Sequence, residues 1–337
     1  MPAPPHAAMT GTVPNPDALC LDWLSEADRI ARWVVDTLAK RLHRRGLVVA
    51  ISGGIDSSLC AALAVRAIGP KKVFGLLMPE RDSSSQSTQR GLLLAQHLGI
   101  AHDLFDIAPV LETMGCYRQR DEAMQRVFPD YGPLWKSKIV IAGGLSGGIN
   151  HFKLVVAGPD GAQQEARLPA REYLQIVAAT NFKQRVRKTM DYFHADRLNY
   201  AVVGTPNRLE YDQGFFVKVG DGAADLKPIA HLYKTQVYAM ARALGLPETI
   251  CSATPTTDTY SLAQGQDEFY FALPYAQMDL ALWSLNHGVA ANALGPALGL
   301  SAEQAARVYT DIEAKRRAAA YLHAAAETIE PVGAAQR

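Results

Sequence analysis

The apolar run Leu47-Val-Val-Ala-Ile51 leads without a break into Ser52-Gly-Gly-Ile-Asp-Ser57, and a second apolar stretch, Leu59 to Ala67, follows at once. An uninterrupted apolar run of this length suits a strand covered on both faces, whereas the later stretch has helix-forming composition. Between them, Ser52, Gly53 and Gly54 let the backbone approach an anion, and the free amides of the new helix point the same way. Neither the P-loop pattern Gly-x-x-x-x-Gly-Lys-Ser/Thr nor the dinucleotide pattern Gly-x-Gly-x-x-Gly fits here. A tight turn whose serine caps the helix would explain the small residues. It would not explain Asp56. A carboxylate beside bound phosphate is repelled unless a divalent cation lies between them, so Asp56 implies Mg²⁺ and a magnesium nucleotide.

The surrounding chain has the rhythm of a parallel sheet. A helix capped at Ser25 has Ile30, Trp33, Val34, Leu38 and Leu42 on one face and ends at Gly46. After the loop helix, Gly69-Pro70 breaks the chain, Val73 to Met78 forms a second strand, a helix runs from about Gln86 to Leu98, and Ile100 to Ile107 gives a third, weaker strand. Alternation of this kind predicts an α/β fold, a doubly wound and mostly parallel sheet with helices on both faces. Ligands of such sheets lie at the carboxyl ends of the strands, where Ser52–Ser57 and the polar run Glu80–Ser87 both fall.

Further along, Ile139-Val-Ile141, Lys153-Leu-Val-Val156 and the turn signal Gly158-Pro-Asp-Gly161 predict an inserted β-hairpin. Ser146-Gly-Gly-Ile-Asn150 repeats the loop motif without its acid or its apolar helix and is expected to be only the glycine-rich end of that hairpin. Leu174 to Tyr192 is helical, Tyr200 to Gly204 a fourth strand, Lys234 to Leu244 a helix, and the segment from Ser261 onward is largely helical, with a last helix from Ser301 to about Ala326. Residues 1–18, rich in proline, are expected to be disordered, and 19–330 to form a single domain with an insertion at about 117–178.

With 34 basic and 33 acidic residues the net charge is +1, so no global field recruits nucleic acid or a membrane. The four cysteines, Cys20, Cys60, Cys116 and Cys251, form no Cys-x-x-Cys pair and are expected to be reduced thiols, as in a cytoplasmic protein. The first residues, with their prolines and Asn15-Pro16, show no basic-then-apolar run, so neither a signal peptide nor a membrane anchor is expected in them.

Asp56 needs a second acid, because Mg²⁺ is held by one or two carboxylates with phosphate and water. Glu210, just past the end of the fourth strand, is the best placed. Lys218 and Lys234 are candidates for holding a carboxylate and a phosphate respectively.

Ser52-Gly-Gly-Ile-Asp-Ser57 resembles the pyrophosphate loop of the N-type ATP pyrophosphatases. Five further stretches, Asn181-Phe-Lys-Gln-Arg-Val-Arg187, Val203-Gly-Thr-Pro-Asn-Arg-Leu-Glu210, Gly214-Phe-Phe-Val-Lys-Val-Gly-Asp-Gly-Ala-Ala-Asp225, Leu232-Tyr-Lys-Thr-Gln236 and Pro255-Thr-Thr-Asp258, resemble in that order the motifs of the NAD synthetase family. Glu313-Ala-Lys-Arg-Arg317 resembles its C-terminal substrate-contacting segment. The resemblance implies an adenine-nucleotide alpha-hydrolase-like fold and amidation of deamido-NAD through an acyl-adenylate, with ATP as co-substrate. It implies Ser52, Gly53, Gly54, Asp56, Ser57, Thr205, Lys234 and Thr256 on ATP, and Asp56 and Glu210 on Mg²⁺. Asn181, Arg185, Lys218, Asp225 and Lys315 would contact deamido-NAD. Asp221 would lie near the ammonia and, with Lys234, serve catalysis. It also implies a homodimer.

Two departures bear on the acceptor. Val217 stands where the family usually has threonine, and Ala314 where ammonia-dependent members often have histidine. They keep open a relative that amidates a different carboxylate, such as a sugar acid. Residues 1–46 are too few for a glutaminase domain, so the expected nitrogen donor is free ammonia or ammonia from a separate glutaminase.

Overall fold

The computed structural model describes residues 14–142, 151–254, 260–262, 270, 271 and 273–330. A four-stranded parallel sheet lies at its centre, with β1 Leu47–Ala50, β2 Val73–Leu77, β3 Ala101–Leu104 and β7 Ala201–Val203 in the order β3-β2-β1-β7. The chain winds outward from β1 to β3, then returns to the other side of β1 at β7. The winding direction therefore reverses between β1 and β7, which is where open α/β sheets bind their ligands.

Alternate residues of the central strands serve different helices, as the two-residue repeat requires. Leu47, Val49, Ala201 and Val203 join a buried cluster with α1 (Trp23–Thr37), α2 (Ile55–Ile68) and α8 (Lys234–Ala243). Val48 and Val202 pack instead with Ala195 of α6 (Ala170–Leu198) on the opposite face. The doubly wound layering is thus built as expected.

Several local expectations change. The first helix is capped by Asp22, not Ser25; the Asp22 carboxylate accepts from the Ser25 amide at 3.0 Å and its hydroxyl at 2.9 Å. That helix runs on through a π turn at Leu38–Leu42 to His43 in the left-handed region (φ 51°), so it ends before Gly46. The end of the span expected to be disordered, residues 1–18, enters a 3-10 turn, Pro16–Leu19, capped by Asn15, and Leu19 just past that span is buried. The inserted hairpin is an antiparallel sheet of three strands, β4 Lys136–Ala142, β5 His151–Ala157 and β6 Gln163–Arg167, with β5 central. Gly158–Gly161 turns β5 into β6, and Gly161 takes φ 80° there. The polar composition of β6 hides it from a search for apolar alternation. Ser146–Asn150 lies outside the described residues.

The remaining helices are α3 Ser85–Leu98, α4 Ala108–Thr113, α5 Cys116–Gln125, α7 Arg208–Gln213, α9 Glu248–Cys251, α10 Tyr275–Asn286, α11 Ala291–Leu298 and α12 Ala302–His323. Ser301 caps α12 with Gln304 in a reciprocal capping box. Among the described residues no helix is long and apolar enough to cross a membrane. All four cysteines are free, and Cys60, Cys116 and Cys251 are buried.

At 29 residues, α6 is about 43 Å long, whereas three-residue β7 spans about 10 Å. The first half of α6 therefore projects past the carboxyl edge of the sheet. The inserted sheet packs there, around Ile139, Leu154, Val156 and Ile176. A buried charge network ties this region to the loop after β2: Lys183 of α6 reaches Glu80 at 3.0 Å and Asp82 at 2.8 Å, Arg120 of α5 reaches Asp82 at 2.6 Å, and the Tyr117 hydroxyl donates to Glu80 at 2.8 Å. Replacing Arg120 by Met strips Asp82 and Asp121 of a buried partner and should cost about 3 kcal/mol of unfolding free energy. Urea denaturation followed by fluorescence measures this; a variant as stable as the parent would show that the network does not anchor the insertion.

Candidate active site

The turn after β1 is shaped by contacts that only small residues allow. Gly53 has φ 78°, and a Cβ there would stand 2.1 Å from the carbonyl oxygen of Ser87, so any side chain would displace α3. Arg90 of the same helix donates to the Gly53 carbonyl at 3.1 Å and so fastens the turn to α3. Ser57 Oγ donates to the Gly54 carbonyl at 3.0 Å, and the Gly54 amide donates to Ser52 Oγ at 3.2 Å. The residue capping α2 is Gly54, with no side-chain cap. The serine-capped alternative therefore does not describe this turn, and the first amides of α2 remain available to an anion.

Asp56, in the first turn of α2, faces two groups from distant parts of the chain. Lys234 Nζ lies 2.5 Å from its Oδ2, and Asn207 Nδ2 donates to Oδ1 at 2.9 Å. Burial alone would disfavour the Lys234 ammonium, but the charges of Asp56 and Glu210 more than offset this and raise its pKa. Its backbone is fixed by Asp279 of α10: one carboxylate oxygen accepts from the Lys234 amide at 3.1 Å, the other from the amide and hydroxyl of Thr235 at 2.7 Å each. Burial pushes the Asp279 carboxyl up to about 6.

Glu210 lies in a short helix, α7, not in an open loop. It is buried and forms a capping box with Asn207, each side chain accepting from the other's amide at 3.2 Å. Burial, followed by the Asp56 charge, pushes its carboxyl up to about 8. Two carboxyl groups thus share one site beside the turn Ser52–Ser57. Asn207 was missed in the sequence, although Asn-x-x-Glu ahead of a short helix is a capping-box signature.

A cavity of about 990 Å³ opens over this turn, at the top of the size range usual for small-molecule pockets. Ser52, Gly54, Asp56, Ser57, Thr205 and Glu210 line its floor. One face of α6 supplies Asn181, Gln184, Arg185, Lys188 and Asp191, and the segment Gly214–Asp221 supplies Val217, Lys218 and Asp221. Burial raises the Asp221 carboxyl, and the Val217 amide donates to it at 2.7 Å. Val219, also on the wall, takes φ 61°, a costly conformation for a β-branched residue that marks this loop as a place of stored strain. Lys218 donates to the Tyr321 carbonyl at 2.8 Å and sits 4.1 Å over its ring; Lys315 reaches the Tyr270 carbonyl at 2.5 Å and Asp311 at 2.6 Å. Both line the cavity, as does the inserted sheet through Ile141, His151 and Phe152.

Not every candidate meets this space. Asp225 is exposed and off the cavity wall; it accepts from the Val202 amide at 2.7 Å and thereby fastens the end of its loop to β7. Lys234 lies beneath the lining, acting on the cavity through Asp56. Thr256 falls outside the described residues.

The sequence model of the NAD synthase family matches residues 26–127 and 148–319. The chain belongs to that family. Residues 128–147, between the matched stretches, include β4 of the inserted sheet. The NH(3)-dependent NAD(+) synthetase of Rhizobium meliloti is 56% identical over 317 residues, covering 94% of this chain and 95% of the relative. That of Thermotoga maritima is 36% identical over 242 residues, 72% of this chain and 80% of the relative. Among solved structures, the NMN synthetase of Francisella tularensis aligns with a TM-score of 0.62 at 22% identity, over 92% of this chain and 99% of that one. The NH3-dependent NAD synthetase of Campylobacter jejuni gives 0.60 at 21%, over 92% and 100%. At such identities the two structures speak for the fold.

Replacing Lys234 by Met leaves Asp56 and Glu210 facing each other without a cation. Metal-free protein should lose about 3 kcal/mol, read from the urea midpoint at constant slope. An unchanged midpoint would contradict the central place given to this ion pair.

Proposed function

We propose that this protein makes NAD from deamido-NAD, ATP and ammonia, forming an acyl-adenylate and releasing AMP and pyrophosphate. The observation behind this reading is that the carboxylates of Asp56 and Glu210 line the same cavity and act on each other's charge, beside an uncapped helix terminus, in a space large enough for more than one substrate. High identity to NH(3)-dependent NAD(+) synthetases over nearly the whole chain supports it.

The chemistry follows from the residues. A nicotinate carboxylate is a poor electrophile until its oxygen is esterified to AMP. Ser52, Gly54, Ser57 and the amides of α2 bind the phosphates, and Thr205 borders them. Asp56 and Glu210 fit Mg²⁺: two carboxylates, one of them raised by burial and by the charge of the other, would leave the remaining positions to phosphate and water. Bound there, the ion would neutralise phosphate charge and stabilise the leaving pyrophosphate. Lys234 adds a fixed positive charge behind Asp56. Asn181, Arg185, Lys218 and Lys315 would hold deamido-NAD, with Asp225 bracing the loop that carries Lys218. Ammonia attacks only when neutral, and the raised Asp221 carboxylate is suited to take the proton of ammonium.

We infer a homodimer and a cytoplasmic location from the same family resemblance, with ammonia taken free or from a separate glutaminase. A second reading, amidation of a different carboxylate, is favoured by Val217 and by the inserted sheet on the cavity wall. The test is to incubate purified protein with ATP, Mg²⁺, ammonium and either deamido-NAD or a panel of carboxylic acids. NAD should form, deamido-NAD should outcompete every other acid, and Asp56→Ala should lower turnover at least about 100-fold. Preference for another acid would establish the second reading, and full activity of Asp56→Ala would remove the metal role.

A further inference from the structure

The cavity has an apolar wall that the assignments above leave unused. In the inserted sheet Phe152, Leu154 and Val156 alternate onto one face of β5, and Ile141 and Ile139 of β4 stand opposite Phe152 and Leu154. The rung of Ile139 and Leu154 is buried with Val156 and with Ile176 of α6. The last rung is not. Ile141 and Phe152 are half-buried and line the cavity, as do Tyr173 and Val177, four residues apart on one face of α6. Phe152 stacks on Tyr173, with ring centroids 4.1 Å apart and planes 12° apart.

Half-exposed apolar side chains on a cavity wall gain when a ligand covers them. These four carry no charge, so neither a phosphate nor a carboxylate is drawn to them; a flat heteroaromatic ring is, because it adds to an aromatic stack. Height decides which ring. Arg187 of α6 donates to the Met78 carbonyl at 3.1 Å, just past the end of β2, and so marks the level of the carboxyl edge, where Ser52–Ser57 lies. Tyr173 is fourteen residues up the same helix, about 21 Å beyond that level. A single nucleotide standing on the floor falls short of it. A dinucleotide acceptor, whose second nucleotide is joined to the first through a pyrophosphate, reaches it. The wall also lies where the family is not uniform: Ile139 and Ile141 fall between the matched stretches, whereas Ser52–Ser57, Thr205 and Glu210 fall inside them.

Resting on the proposed function, we infer that the inserted sheet is a specificity element: the adenine at the far end of deamido-NAD lies against Phe152 and Tyr173. The wall thereby selects the dinucleotide over nicotinate mononucleotide, which carries the same reacting carboxylate without the second base. It takes no part in adenylation or in the attack of ammonia, both of which belong to the floor.

Phe152→Leu and Tyr173→Leu test this, since each keeps an apolar side chain and removes the stacking surface. In both, KM for deamido-NAD should rise about fivefold or more. KM for ATP, KM for ammonium, kcat and the Ki of nicotinate mononucleotide as a competitor of deamido-NAD should each change less than about twofold, because none of them depends on the second base. Phe152→Tyr, which restores a ring, should return KM for deamido-NAD to near the parent value. The inference is overturned if the folded leucine variants keep the parent's KM for deamido-NAD. It is overturned equally if KM for ATP rises instead, which would give the wall to the base of the co-substrate, or if the Ki of the mononucleotide rises in parallel, which would give it to the reacting end. Loss of folding in both leucine variants would make the rung structural and overturn it as well. A parent protein that makes no NAD at all would instead refute the function on which the inference rests.

Discussion

The site hangs on a buried ammonium. Lys234 is 1% exposed, and a lysine at that depth stays charged only if a carboxylate meets it. Asp56 does so, at the first turn of α2, directly behind the turn Ser52–Gly54. Glu210 and Asn207 come from beyond β7, and Asp279 reaches across from α10 to fix the start of α8. Four separated segments therefore converge on one charge. Their positions are mutually dependent: shifting α8 would leave Asp56 unpaired beside Glu210, and shifting α7 would remove both Asn207 and Glu210.

Topology places this convergence. Because the chain reverses direction between β1 and β7, the loops after those strands splay apart and leave a crevice. The long α6 extends that crevice upward, since it continues well past the sheet and carries polar residues along one face. The inserted sheet then has something to pack against, and the Lys183, Arg120, Asp82 and Glu80 network holds it to the loop after β2. The result is a cavity with a polar floor and a wall built partly from the insertion. Within the family, that wall is where this chain has room to differ, because part of the insertion lies outside the matched stretches.

Much of the floor was legible in the sequence because its determinants are local. An apolar run, two glycines and an acid within twelve residues define the strand, the turn and the helix start. Glu210 could be placed near Asp56 because strands side by side in a parallel sheet put the loops at their carboxyl ends within reach of one ligand. Contacts between distant segments were not legible in that way. Nothing in the periodicity of α5 shows that Arg120 faces Asp82, and nothing near Lys234 shows that Asp279 caps its helix. Lys188 and Asp191 look like surface charges on a helix until the fold buries them. The strand Gln163–Arg167 was missed because its polar residues give no alternation, and Asp225 looks like a ligand residue in its motif, whereas its carboxylate binds the Val202 amide.

The central claim is that this floor activates a carboxylate by adenylation before nitrogen arrives. Exchange of labelled pyrophosphate into ATP, with deamido-NAD and Mg²⁺ present and ammonium absent, tests it most directly. The account predicts exchange that requires deamido-NAD and is abolished in Glu210→Gln. Exchange that is absent in the parent protein, or that proceeds equally well without deamido-NAD, would contradict it.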